Sequence, residues 1–161
     1  MRGARTGIFA DVIRTRIALL GGGQLGRMFL ENALRYDVEV HVLDPDPACS
    51  CAHLAHRYVQ GRFDDAATVM DFAGPCDVVG IEIEHVSVEA LERLKALGKR
   101  VIPDPDVLRT IKDKGLQKDF YRQHGIPTED FALVEGRAQL RDHLALLPAF
   151  LKTRTGGYDG K

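Results

Sequence analysis

The chain has 161 residues, of which 45% are hydrophobic, and its 22 basic and 23 acidic residues leave a formal net charge of −1. The length suits one domain, or one domain and part of another, and the near-neutral charge excludes the basic field of a protein that binds nucleic acid or an anionic membrane. Three cysteines fit a reducing cytoplasm rather than a disulfide scaffold, and no apolar run approaches the roughly 20 residues of a membrane span.

The pattern of apolar residues predicts alternating strands and helices in the first part of the chain. Strands are expected at 16–20, 38–43, 78–83 and 100–102, and helices at 24–36, 64–72 and 88–97. Such alternation is typical of a parallel sheet covered by helices. We therefore predict an α/β domain with a doubly wound parallel sheet.

The segment Pro-Asp-Pro at 103–105 marks the predicted domain boundary. We assign residues 1–15 to an extension, 16–104 to the first domain and 105–161 to part of a second domain. In the second domain the pattern predicts helices at 105–110, 113–124 and 137–146, and strands at 131–134 and 150–152. This second unit is incomplete, so we expect the chain to be the front part of a longer protein.

A glycine-rich turn follows the first predicted strand and opens the first helix. Gly21, Gly23 and Gly26 satisfy G-x-G-x-x-G, and Asp44 follows about twenty residues later, at the end of the second strand. This arrangement favours a dinucleotide site, but the same geometry serves any anion at a helix N-terminus, including a sugar phosphate. Glycines that serve only tight packing are a third interpretation.

Two acidic residues stand at the end of the third long predicted strand. Strand alternation places Glu82 and Glu84 on one face, at the carboxyl edge of the sheet where ligands bind. A carboxylate there accepts hydrogen bonds from ribose hydroxyls or an amine, whereas the alternative is a solvated strand end. The neighbouring His85 is, by itself, weak evidence for a general base.

Residues 49–56, Cys-Ser-Cys-Ala-His-Leu-Ala-His, include residue types that bind zinc. The single residue between the cysteines departs from the usual zinc-knuckle spacing of two to four, and no second knuckle follows. We therefore predict no structural zinc at Cys49, Cys51, His53 and His56. A helical segment that packs Cys51 is the preferred interpretation.

The end of the chain is typical of a flexible loop that covers phosphates. A predicted strand at 150–152 leads into Thr-Arg-Thr-Gly-Gly-Tyr-Asp-Gly-Lys at 153–161, where glycine amides can approach phosphate oxygens closely. Lys152 lies in an apolar strand and needs a partner, for which a nucleotide phosphate is one candidate. With few apolar anchors, residues 153–161 are expected to be mobile. A basic cluster near the preceding helix is more simply a solvated face: Arg109, Lys112, Lys114 and Lys118.

Taken together, these segments strongly resemble the N5-carboxyaminoimidazole ribonucleotide synthetase family of the ATP-grasp superfamily. The matching segments, in chain order, are 21–28, 43–45, 82–86, 113–118, 126–127 and 152–161. The resemblance runs from about residue 16 to residue 161. The final Arg-x-Gly-Gly-Tyr-Asp-Gly-Lys stretch is specific to that family, whereas related ATP-grasp enzymes carry similar glycine loops.

The resemblance implies a Rossmann-like pre-ATP-grasp domain followed by the start of an ATP-grasp domain. It implies a cytoplasmic, homodimeric ligase of purine biosynthesis that carboxylates 5-aminoimidazole ribonucleotide with bicarbonate and ATP. The implied acceptor-binding residues are Gly23, Gln24, Leu25 and Glu82. The implied ATP-binding residues are Arg109, Lys152, Gly157, Tyr158, Asp159, Gly160 and Lys161. Mg²⁺ is implied as cofactor with its ligands outside this chain, no catalytic residue is assigned, and the chain alone is expected to be inactive.

Three alternatives stay open at this point. Another ATP-grasp ligase or formyltransferase of purine synthesis would carry a similar glycine loop. A nicotinamide-dependent oxidoreductase rests on the glycine loop and Asp44, but Pro45 and the lack of an evident hydride-transfer set argue against it. A stand-alone nucleotide-binding or interaction module is the non-enzymatic possibility.

Overall fold

In a computed structural model that describes residues 14–156, the chain divides into two compact units, with the boundary between Pro103 and Asp104. Residues 1–13, most of the predicted extension, and residues 157–161 lie outside the described part. Each unit is considered by itself below.

The strands of the first unit are β1 Thr15–Leu20, β2 Val38–Asp44, β3 Arg57–Gln60, β4 Val78–Ile81 and β5 Arg100–Ile102, and the helices are α1 Gln24–Ala33, α2 Ala66–Ala73 and α3 Val88–Ala96. The strands form one sheet in the order β3-β2-β1-β4-β5, with every neighbouring pair parallel. Ile17 of the central strand pairs with Val40 on one side and Val78 on the other. The predicted parallel α/β fold is thus confirmed.

The strand order reverses at β1, which makes the sheet doubly wound. The chain proceeds from β1 outward through β2 and β3, then returns to place β4 on the other side of β1. Right-handed crossovers then place α1 on one face of the sheet and α2 and α3 on the other, and α2 contacts α3. Ligands of such sheets bind beyond the carboxyl ends of the strands at the reversal, which here are the ends of β1 and β4.

The core lies on both faces of the central strands. Ala18, Val40 and Val79 are fully buried, as expected for parallel strands covered on two sides. Leu30 of α1 and Leu94 of α3 are also buried, and burying one such side chain stabilises the fold by about 1.5–3 kcal/mol. This packing holds the carboxyl ends of the strands in place.

The sequence analysis missed β3 and was wrong about the segment before it. Residues 57–60 form an edge strand whose residues are all partly or fully exposed, so no apolar run marks it. Residues 49–56 form turns rather than the expected helix. The strand predicted at 78–83 is also shorter than expected, because β4 ends at Ile81. Glu82 and Glu84 therefore lie beyond the strand, and the alternation that placed both on one face does not apply to them.

The second unit begins with helices α4 Pro105–Lys112 and α5 Lys114–Gln123, followed by a 3-10 helix at Arg137–Leu146 that is kinked at His143. The strands predicted at 131–134 and 150–152 are wrong, since both segments are irregular. A strand needs a hydrogen-bonded neighbour, and no strand is present among the described residues after 103. No helix within residues 14–156 combines the length and apolar character needed to cross a membrane.

Candidate functional site

The three amides of the glycine loop between β1 and α1 all have acceptors within the protein. Gly21 N donates to the Leu43 carbonyl at 3.0 Å. Gly22 N donates to Asp44 Oδ2 at 2.7 Å, and Gly23 N donates to Glu82 Oε2 at 2.9 Å. This corrects the expectation that these amides are open phosphate donors, because an arriving phosphate would first have to displace a carboxylate.

The loop needs glycine because the Glu82 carboxylate and the Cys49 sulfur approach its backbone so closely. Gly21 has φ +103°, and a Cβ there would lie 2.7 Å from Glu82 Oε2. At Gly23 a Cβ would lie 2.7 Å from Glu82 Oε1, and at Gly22 it would lie 2.6 Å from Cys49 Sγ. Real Cβ atoms do not approach heavy atoms so closely, so a larger residue would push Glu82 or Cys49 out of position.

Open hydrogen-bond donors remain one step further along, at the start of α1. Gly23 is the N-cap residue, and no side chain caps this helix. Gln24 and Leu25, whose amides belong to the first turn, are both exposed. First-turn amides have no partner inside the helix, and the positive end of the helix dipole favours an anion beside them.

The structure thus brings together the four predicted acceptor-site residues: Gly23, Gln24, Leu25 and Glu82. It adds Asp44, which the sequence suggested only as the acidic residue of a dinucleotide site. The half-buried Glu82 and Asp44 carboxylates supply acceptors, and the start of α1 supplies donors. Such a combination suits a ligand that carries both hydroxyl or amine groups and an anionic group.

A turn after β2 contacts the backbone carbonyls of the glycine loop, which sequence reasoning did not foresee. Cys51 N donates to the Gly22 carbonyl at 3.1 Å, and Cys51 Sγ lies 3.7 Å from the Gly23 carbonyl. The Tyr58 hydroxyl lies 2.9 Å from the carbonyl oxygens of both Asp44 and Asp46, which share its single proton. Burial, then the neighbouring Cys49, raises the pKa of Cys51 to about 11, so the thiol stays protonated.

The zinc-type residues of this turn have other contacts. His56 Nδ1 accepts a hydrogen bond from Val40 N at 3.1 Å, which places its proton on Nε2. Within residues 14–156 no group of three or more His, Cys, Asp or Glu side chains is arranged to hold a metal ion.

In the second unit, two of the predicted ATP-binding residues, Arg109 and Lys152, lie in the described part of the chain. The Arg109 guanidinium donates to Asp106 at 2.7 Å in the same helix. Lys152 is exposed and in irregular backbone, so the argument that it is a cation in a buried strand is wrong. The remaining predicted residues lie outside the described part of the chain: Gly157, Tyr158, Asp159, Gly160 and Lys161.

Lys114, which the sequence placed on a solvated face, instead contacts the glycine-rich segment at 153–161, through Arg154 and Gly156. Its Nζ donates to the Gly156 carbonyl at 2.8 Å, and its backbone N donates to the Arg154 carbonyl at 2.9 Å. The ammonium of Lys114 is therefore a candidate phosphate ligand that sequence reasoning missed, although its position at the start of α5 within the 113–118 motif was a usable signal.

Comparison with known proteins identifies the family of this chain. Residues 14–112 match the model of the ribonucleotide synthetase preATP-grasp domain. The chain is 38% identical to a phosphoribosylaminoimidazole carboxylase of Ogataea methanolica and 36% identical to an N5-carboxyaminoimidazole ribonucleotide synthase of Brucella melitensis. Each match covers 90% of this chain.

Among solved structures, the chain is similar to an N5-carboxyaminoimidazole synthase of Aspergillus clavatus in complex with ADP and 5-aminoimidazole ribonucleotide. The identity is 39% and the TM-score 0.74, over 84% of this chain and 36% of that one. The chain also spans only 28% of the Ogataea protein and 40% of the Brucella protein.

Proposed function

This chain belongs to the ribonucleotide synthetase preATP-grasp domain family, and on that premise we propose that it forms part of an N5-carboxyaminoimidazole ribonucleotide synthetase. The proposed reaction is the ATP-dependent carboxylation of 5-aminoimidazole ribonucleotide with bicarbonate, in purine biosynthesis. The chain would supply the acceptor-binding domain, residues 16–104, and the start of the ATP-grasp domain, residues 105–161.

The pairing of the glycine loop with two carboxylates is the observation that favours this acceptor over a dinucleotide. In a dinucleotide site the glycine loop must lie against the pyrophosphate. Here the amides of Gly22 and Gly23 are bonded to Asp44 and Glu82, which would repel that pyrophosphate. The same carboxylates suit the hydroxyl and amine groups of an aminoimidazole ribonucleotide, while the open amides of Gln24 and Leu25 suit an anionic oxygen.

On the ATP side, the proposal rests on the glycine-rich segment at 153–161 and on three cations of the second unit. Lys114 already contacts Gly156, and we propose that it joins Lys152, Arg109 and residues 157–161 in binding the nucleotide. Cations and glycine amides neutralise the charge that moves onto the phosphate oxygens during phosphoryl transfer.

The proposed chemistry has two stages. A bicarbonate oxygen attacks the γ-phosphorus of ATP, ADP leaves, and carboxyphosphate forms. Carboxyphosphate then releases phosphate and CO₂, which the acceptor amine attacks with loss of a proton. The contribution of this chain is to position the acceptor and to neutralise charge, and a closed glycine-rich segment would protect carboxyphosphate from water. Mg²⁺ would assist through ligands outside the residues described.

A cytoplasmic homodimer belongs to the same proposal. Three free cysteines fit a reducing compartment. Met28 on α1 is 53% exposed, which offers apolar surface for a subunit contact. Sedimentation of the full-length gene product would show a dimer if this part is right.

Phosphate release by the full-length gene product tests the proposed activity. We expect release that requires ATP, bicarbonate and 5-aminoimidazole ribonucleotide together. Turnover with another phosphoribosyl amine or with formate, but not with aminoimidazole ribonucleotide, would assign the chain to a different ATP-grasp ligase. Tight binding of NAD with no response to the ribonucleotide would refute the proposal.

A further inference from the structure

Two segments that are far apart in the sequence meet in the second unit. Arg154 Nε lies 2.7 Å from Asp113 Oδ1 and 2.8 Å from Oδ2, across a separation of 41 residues. Next to this ion pair, Lys114 donates from its backbone to the Arg154 carbonyl and from its side chain to the Gly156 carbonyl. The start of α5 therefore holds the segment Thr153–Gly156 at several points, which the expectation of a mobile segment did not anticipate.

Asp113 is well suited to hold Arg154 because it is itself held in place. Its Oδ1 accepts hydrogen bonds from Gly115 N at 2.8 Å and Leu116 N at 3.1 Å, so it caps α5. The Asp113 side chain is only 17% exposed, and hydrogen bonding to Arg154 lowers the pKa of its carboxyl. A carboxylate fixed by two amides offers the guanidinium a rigid partner.

Gly115 supports the same geometry through its lack of a side chain. A Cβ at this position would lie 2.9 Å from Arg154 Nε and 3.2 Å from its Cζ. The guanidinium therefore lies directly against the backbone of Gly115, and an alanine would displace it. Three residues of α5 and its cap thus share the contact with Arg154.

We propose that Asp113 and Arg154 are a positioning pair for phosphoryl transfer, which holds the backbone of residues 153–156, next to Lys152 and Lys114, against the start of α5. This inference rests on the proposed function. Fixing the backbone of a ligand-binding segment reduces its entropy. Because residues 153–156 are already bonded to the start of α5, ATP binding has less backbone to order, and the pair should favour ATP binding without touching the acceptor.

Hydrogen exchange on this chain tests the contact itself. The amide of Lys114 donates to the Arg154 carbonyl, so its exchange rate reports whether the segment is held. We expect Arg154→Ala to speed exchange at Lys114 about tenfold or more, as for loss of a charge-assisted hydrogen bond. The exposed Arg137 provides the matched control, and Arg137→Ala should leave the rate unchanged. Unchanged exchange in Arg154→Ala would overturn the proposal.

Asp113→Asn separates the ion pair from helix capping, because asparagine can still accept from Gly115 and Leu116. We expect it to speed exchange at Lys114 as Arg154→Ala does. Asp65→Asn, which alters the cap of α2 without an arginine partner of this kind, should not. If Asp113→Asn leaves the Lys114 rate at its original value, the ion pair does not hold the segment.

Kinetics of the full-length gene product test the positioning role. We expect Arg154→Ala and Asp113→Asn each to raise the KM for ATP about tenfold, with the KM for the acceptor unchanged. The double variant should be no worse than either single variant, since the two residues act together. An equal rise in both KM values would indicate a general loss of fold and would overturn the proposal. If the unaltered protein carboxylates no ribonucleotide, the proposed function fails, and calorimetry with ATP then decides the role of the pair.

Discussion

Replacing Glu82 tests the central contact of the proposed acceptor site. Glu82→Ala removes the carboxylate that accepts from Gly23 N at 2.9 Å. A hydrogen bond to a charged group contributes about 1.5–3 kcal/mol, and an unpaired buried donor costs about 1–3 kcal/mol. Since Glu82 is half-buried and water can reach the vacated amide, we expect the free energy of unfolding to fall by about 1–2 kcal/mol. Glu82→Gln keeps an acceptor oxygen and should lose less than about 1 kcal/mol.

The effect of Glu82→Ala on ligand binding should be larger than its effect on stability and should be confined to the acceptor. If the Glu82 carboxylate binds acceptor hydroxyl or amine groups, its loss should weaken acceptor binding about 10- to 100-fold, because each 1.4 kcal/mol is about tenfold in affinity. ATP affinity should not change. Urea unfolding of this chain measures the stability effect, and calorimetry on the full-length gene product measures both affinities.

Glu84→Ala is the matched control for this experiment. Glu84 has the same charge two residues away, but it is 43% exposed and lies 3.5 Å from His85 rather than on the glycine loop. Its replacement should change stability by less than about 0.5 kcal/mol and leave acceptor affinity unaltered. Acceptor affinity that is unchanged in Glu82→Ala, or reduced equally in Glu84→Ala, would refute the reasoning.

Three further predictions concern the surroundings of the site. Gly22→Ala places a methyl group 2.6 Å from Cys49 Sγ and should reduce stability by about 1–3 kcal/mol, whereas Gly136→Ala, which meets open space, should change the urea midpoint little. Burial, then repulsion by Arg57, lowers the pKa of His41 below 6.5. The unfolded chain then binds the proton more readily, so stability should be full above pH 6.5 and decrease as the pH falls below it. Urea unfolding across that range should show a slope that His41→Gln reduces, and an unaltered slope would contradict the assignment. Because Cys51 is fully buried and its pKa is raised to about 11, a thiol reagent near neutral pH should label Cys51 only as fast as the chain unfolds, and rapid labelling of the native protein would be inconsistent with this.

Much of the first unit could be predicted because its signals are local. The fully buried residues of β1 and β2, such as Leu20 and Val40, form apolar runs that identify central parallel strands. The glycine loop between β1 and α1 and the acidic residue after β4 follow from their position at strand ends. Edge strand β3 could not be found in this way, since its exposed residues include Arg57 and Gln60, and it depends on pairing with β2.

In the second unit, apolar content alone was misleading. Phe150 and Leu151 resemble a buried strand in sequence, yet they are 94% and 75% exposed. Helices α4 and α5 were predictable because helical hydrogen bonds form within one segment. A strand must find a partner elsewhere in the chain, and residues 104–156 do not supply one.

The sequence by itself determined most strands and helices of the first unit, the parallel class of the sheet, the family, and the residues near the candidate acceptor site. Only the tertiary structure decided which hydrogen bonds those residues make. Glu82 meets Gly23 across 59 residues, and Asp113 meets Arg154 across 41. Side-chain periodicity reports which face of an element is buried, but a hydrogen bond between distant segments depends on how strands are ordered and where each one ends. For that reason the glycine loop, which in sequence resembles an open phosphate cradle, is in the folded chain already bonded to two carboxylates.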